Sequence, residues 1–160
     1  MKNTQKVTLH KLLPILLYAI LLSFISCDKK KENHFLIGVS QCSDDMWRQT
    51  MNDEMLLEVS RYSNVKLEIK TVKDDTPQQI KDIEYFIDKK VDLLIISPNE
   101  SAAITPIVTK AYESDIPVVL IDRKIDTEHW TSYVGANNYQ IGREVGVYVA
   151  RVLKAKGNVV

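Results

Sequence analysis

The groups best suited to chemistry lie in the loops that follow the apolar runs of the chain, and the first of these loops reads Ser40-Gln41-Cys42-Ser43-Asp44-Asp45. It has neither the G-x-G-x-x-G that brings a backbone close to a dinucleotide pyrophosphate nor a G-K-[ST] phosphate loop, so a nucleotide site is disfavoured. Asp44 and Asp45 mimic the paired acids of a receiver domain. Such a domain also needs an aspartate to phosphorylate after its third strand, where this chain has Ser97-Pro98-Asn99. An acyl-transfer enzyme or a glycosidase needs a nucleophile with its base, or two carboxylates in separate environments. The three histidines do not help: His10 lies in the apolar leader, His34 and His129 lie outside the strand-end loops, and no spacing ties them to a cysteine or an acid as a metal set. No metal or cofactor is implied. What the loops do hold is short acceptors, a planar donor fork and a large aromatic. A carboxylate and a guanidinium grip adjacent hydroxyls two at a time, and an indole covers an apolar ring face. That chemistry fits binding of a polyhydroxylated ligand, and an enzyme would need a positioned acid, base or metal in addition.

The elements that must position these loops follow from periodicity. Phe35-Leu36-Ile37-Gly38-Val39 reads as a buried strand, and Trp47, Met51, Met55, Val59 and Tyr62 recur at steps of four and three along one helix face. Val65, Leu67 and Ile69 alternate with charged residues, as in a strand near a sheet edge. Thr76 reads as an N-cap, with Pro77 at the first helical position and Gln79 at the third. Ile80, Ile83 and Ile87 continue that helix, and Val91 to Ile96 is a nearly unbroken apolar run of the kind found in central parallel strands. A helix over Ser101 to Glu113 contains Pro106, which predicts a start near Thr105 or a short first turn leading into it. Pro117 to Ile121 and Tyr133 to Ala136 supply two further strands, and Ile141, Val145, Val149 and Val152 mark a last helix. This alternation predicts an α/β fold, a doubly wound parallel sheet with helices on both faces, whose ligands sit at the carboxyl ends of the strands.

Ahead of this body, Lys2, Lys6 and Lys11 precede a 14-residue run from Leu12 to Ile25, too short for a comfortable membrane span and typical of an export signal. Ser26 and Cys27 follow, a small residue before a cysteine, which resembles the lipobox of bacterial lipoproteins although Phe24 stands where leucine is usual. Lipidation of Cys27 would tether the protein to a membrane; an uncleaved signal anchor and simple secretion are the alternatives. Residues 1–27 are thus the leader and 28–34 a charged linker. Without the leader the chain keeps 18 basic against 21 acidic residues, which is not the balance of a nucleic-acid binder. Cys42 then has no partner for a disulfide and reads as a small semi-buried thiol.

Four segments carry a family resemblance: Ile37-Gly38-Val39-Ser40, Asp92 through Ala102, Ile116 through Arg123, and Tyr133-Val134-Gly135-Ala136-Asn137-Asn138. In this order they resemble the first part of a type 1 periplasmic sugar-binding protein of the ribose and galactose class, related to lactose-repressor-type sensor domains. The resemblance implies a two-lobed clamshell, with residues 35–137 as the first lobe and 138–160 as the hinge crossing and opening of the second. It implies that Asp122 and Arg123 grip sugar hydroxyls, and that Ser40, Asp44, Met46 and Trp47 supply polar contacts and a stacking wall. A surface ion pair is the plain alternative for Asp122 and Arg123, and a core position on its helix stripe is that for Trp47. Asn137 and Asn138 look like the first hinge crossing or, equally, a simple N-cap for the last helix. Asp44 stands where relatives often have asparagine, and Met46 where an aromatic is common.

The resemblance extends to the extracytoplasmic module of hybrid two-component sugar sensors. It implies a pentose or hexose ligand, a second lobe as the missing partner, and a sensor kinase or a transport permease as the recipient of the signal or the sugar. Without that lobe, residues 28–160 are expected to bind monosaccharides very weakly or not at all, and the stripe on the last helix to lie exposed.

Overall fold

The computed structural model describes residues 33–158; the leader, Cys27 and most of the charged linker lie outside them. Five strands, β1 (Phe35–Gln41), β2 (Val65–Thr71), β3 (Leu93–Ile96), β4 (Val118–Ile121) and β5 (Ser132–Val134), form one parallel sheet in the order β2-β1-β3-β4-β5. The helices are α1 (Met46–Val59), α2 (Thr76–Asp88), α3 (Ser101–Glu113) and α4 (Asn138–Val152). Ile37 pairs with Leu67 on one side and Leu93 on the other, so β1 lies inside the sheet and β2 at its edge, where the alternation of β2 had placed it.

The step from β1 to β2 runs one way along the sheet, and every later step runs the other way. Right-handed crossovers therefore put α2 and α3 on one face and α1 on the opposite face. The α2/α3 face holds the core: Ile83, Phe86 and Ile87 from α2, Ile104, Ile107, Val108 and Ala111 from α3, and Leu94, Ile96, Val118 and Leu120 from the sheet. Gly38 is required there, because a Cβ would come within 2.8 Å of the Phe86 ring. On the other face Leu93, Ile95, Val119 and Ile121 are only half-buried. β3 lies between β1 and β4, as its apolar run predicted, and among the described residues one helix, α1, lies on this second face.

Local details differ from expectation in instructive ways. The cap of α2 is Asp75, not Thr76; its carboxylate accepts from the Gln78 N–H at 2.9 Å, and Thr76 is the first helical residue. Gln79 makes no capping bond and instead sits fully buried, donating to the Ser97 carbonyl at 2.8 Å and accepting from the Asn99 N–H at 2.9 Å. Pro106 lies inside α3 after a regular first turn, the second of the two arrangements its position allowed. β5 ends at Val134, two residues short of Ala136. The stripe of α1 is shallow: Met51, Met55 and Val59 are half-buried, but Trp47 and Tyr62 are exposed. No residue of α4 is buried, and Ile141, Val145 and Val152 stand open as its unpartnered stripe predicted.

Candidate functional site

The strand order reverses between β1 and β3, the point at which open parallel sheets bind ligands beyond their carboxyl ends. The loops after β1, β3, β4 and β5 meet along that edge. Fully buried Gln79 ties the loop 97–99 to α2 through its two backbone bonds, and Asn99 adds a side-chain bond to the Thr76 hydroxyl at 2.8 Å. The main chain of that loop in turn receives Arg123, whose Nη1 donates to the Asn99 carbonyl at 2.7 Å. Asp122 and Arg123 therefore project from a braced rim.

Asp122 adopts φ +67°, in the left-handed region. Its N–H donates to the Val134 carbonyl at 2.9 Å, and its own carbonyl accepts from the Tyr133 hydroxyl at 2.9 Å. The carboxylate accepts from Arg48 Nη2 at 2.7 Å and lies 4.0 Å from Arg123 Nε. Arg48 is 4% exposed, whereas its neighbour Trp47 is 59% exposed, and the guanidinium carbon of Arg48 sits 4.4 Å from the centre of the Trp47 ring. An exposed indole, a buried guanidinium and a partly open carboxylate thus form one continuous contact. The reading of Trp47 as a core residue does not hold, because the residue is exposed. Met46 is more exposed still.

The remaining candidates are more scattered. Asp122, Arg123 and Asn137 line one open depression with Lys124, Tyr133 and Gly135. Asn137 also caps α4, its side chain accepting from the Gln140 N–H at 3.0 Å. Ser40 lies buried in β1, its hydroxyl without a partner among the described residues. Asp44 is turned toward Lys73 at 3.3 Å and accepts from the Gln49 side chain at 3.2 Å. The adjacent Asp45 caps α1, accepting from the Arg48 N–H at 2.9 Å and from the Ser43 hydroxyl at 2.5 Å. The Ser43 bond, followed by that from the Arg48 amide, holds its carboxyl below the usual aspartate range. Cys42 is buried against Ser97, with its sulfur 3.6 Å from the Ser97 hydroxyl.

Sequence reasoning missed Arg48 and Tyr133, the two side chains that hold Asp122. The only hint for Arg48 was a charge directly after Trp47 at the start of an apolar stripe; its partner is 74 residues away.

A model of the periplasmic binding protein domain matches residues 37–160. Among solved structures, the fructose-binding periplasmic domain of a hybrid two-component system is 57% identical with a TM-score of 0.76, over 78% of this chain and 42% of that one. A solute-binding protein of an ABC transporter from Bacillus halodurans, with bound myo-inositol, is 27% identical with a TM-score of 0.75, over 81% of this chain and 46% of that one. The D-ribose/D-allose-binding protein of Pseudomonas aeruginosa is 38% identical over 86 residues, half of this chain and 27% of the relative. The chain thus spans less than half the length of each of these proteins.

Proposed function

The chain belongs to the periplasmic binding protein domain family, and from that premise we propose that it forms one lobe of an extracytoplasmic monosaccharide-binding module and carries half of its ligand cleft. The observation that carries the proposal is the grouping of Asp122 and Arg123 at the carboxyl end of β4 with the exposed Trp47 ring, joined to Asp122 through Arg48, since a carboxylate, a guanidinium and an indole match the hydroxyls and ring face of a sugar. Ser40, Asp44 and Met46 complete the set as framework and rim. Residues 35–137 form the lobe, and Asn137 and Asn138 begin the crossing to a second lobe that supplies the opposing contacts. The function is binding, without a catalytic step.

The module serves a two-component sensor, because the 57%-identical relative is the sensing domain of such a system, and D-fructose is the first ligand to try. Delivery of sugar to an ABC permease is the second reading, supported by the likeness to the ribose import binding protein of Bacillus subtilis, 31% identical over 91 residues. Lipidation of Cys27 would hold the module at the membrane. A Cys27→Ala variant that moves from the membrane to the soluble fraction is the expected result, and unchanged fractionation would contradict it.

Titration of the isotopically labelled chain with D-fructose and D-ribose, followed by amide chemical shifts, tests the binding proposal. One lobe lacks the opposing contacts and the desolvation that closure provides, so the expected affinity is millimolar or weaker, at most about 4 kcal/mol. Shifts should gather at Asp122, Arg123 and the Trp47 indole. Shifts confined to the amino-end edge of the sheet around Val91 and Pro117 would overturn it.

A further inference from the structure

Asp122 is held at three points by three neighbours: its N–H by the Val134 carbonyl, its carbonyl by the Tyr133 hydroxyl, and its carboxylate by Arg48. With φ at +67° it occupies a conformation that a side chain with a Cβ keeps only where its surroundings impose it. Gly135 is fitted to the same arrangement, since a Cβ there would overlap the Tyr133 hydroxyl. Arg48 is almost wholly buried, yet its Nε and Nη1 have no hydrogen-bond partner among the described residues. A guanidinium buried with two unpartnered nitrogens is a poor device for stability, because an apolar side chain of similar size would fill the space without that desolvation. Its geometry suits another task, since one group touches both the Trp47 ring and the Asp122 carboxylate.

We propose that Arg48 and Tyr133 are positioning residues that lock Asp122 in its left-handed conformation and, through Arg48, fix the distance between the acid and the indole wall. The proposal rests on Asp122 being a ligand contact. Arg48 acts on the side chain from α1, at the start of the lobe, and Tyr133 on the main chain from β5, at its end. The rim is therefore set before a ligand arrives, and the ordering cost of binding is reduced.

Amide hydrogen exchange on the 160-residue chain tests the clamp without any ligand. Tyr133→Phe removes a single hydroxyl, and Arg48→Gln removes the ion pair. Each is expected to speed exchange at the Asp122 N–H about tenfold, the factor equivalent to a lost hydrogen bond of about 1.4 kcal/mol. Exchange at Leu120 and Ile96 and the urea midpoint should stay near those of the parent for Tyr133→Phe, which a merely structural role would not permit. Arg48→Lys, which keeps the charge, is expected to restore part of the protection. Gly135→Ala should reproduce the Tyr133→Phe pattern. Unchanged exchange at Asp122 in both Tyr133→Phe and Arg48→Gln overturns the clamp whatever the sugar titration shows. Loss of protection only in step with the urea midpoint also overturns it, by making the two side chains structural. Sugar-induced shifts in the parent chain that bypass Asp122, with the exchange pattern as expected, instead overturn the reading of Asp122 as a ligand contact.

Discussion

The two faces of the sheet are built from the same kinds of residue and have different fates. Leu94, Ile96, Val118 and Leu120 are fully buried under α2 and α3, while their neighbours Leu93, Ile95, Val119 and Ile121, equally apolar, are only half-covered on the side of α1. Hydrophobicity states what a strand can bury, but the number of helices sent to each face decides what is buried. Among the described residues two helices close one face and one helix lies on the other, the thin face. The carboxyl edge shares in this difference. Arg123 rests on a loop tied down by fully buried Gln79 from the thick side, whereas Asp122 is tied to Arg48 from the thin side.

The sharpest way to break the comparison is to empty the thick face. Phe86→Ala should cost about 3–5 kcal/mol in urea unfolding, because the ring is fully buried between α2 and the sheet. A loss below 1 kcal/mol would show that this face is not the core. Gly38→Ala probes the same contact from the strand side: the added methyl drives into the Phe86 ring and should cost about 1–3 kcal/mol by the same measurement. Ile95→Ala, one residue from fully buried Leu94 but on the thin face, should cost only about 1 kcal/mol. Equal losses for Ile95→Ala and Leu94→Ala would erase the difference between the faces.

The smallest expected effect concerns α1, the helix on the thin face. Asp45 caps α1, and its carboxyl is held below the usual range, chiefly by the Ser43 hydroxyl and then by the Arg48 amide. A carboxyl depressed in the folded state stabilises above its unfolded value and loses that contribution as pH falls through the folded value. The first turn of α1 should therefore loosen below about pH 4, seen as faster amide exchange at Arg48 and Gln49. Asp45→Asn should flatten this pH dependence, and an unchanged profile in that variant would assign it elsewhere.

Much of this architecture was legible in the residues. The alternation of apolar runs and helical stripes gave the order of elements and the single wet face of β2 placed it at the edge, whereas Asp122 and Arg123 came forward only through the family resemblance. Periodicity could not foresee that Trp47 would turn outward, because a helix stripe is blind to where the sheet beneath it ends. Nor could it pair Arg48 with Asp122, since only the folded sheet brings the starts of α1 and the end of β4 together. Thr76 and Asp75 are adjacent capping residues, and local pattern does not choose between them. The choice follows once Gln79 is drawn into the core by the backbone of the 97–99 loop.

The central claim is that this lobe supplies half of a sugar cleft through Asp122. Its most direct test is calorimetry on a chimera in which residues 37–160 replace the matching part of the 57%-identical fructose-binding domain, so that a complete cleft is present. The chimera is expected to bind D-fructose, and Asp122→Ala within it to weaken binding at least about tenfold, as loss of a hydrogen bond to a charged group implies. A folded Asp122→Ala chimera that binds as tightly as its parent would contradict the account.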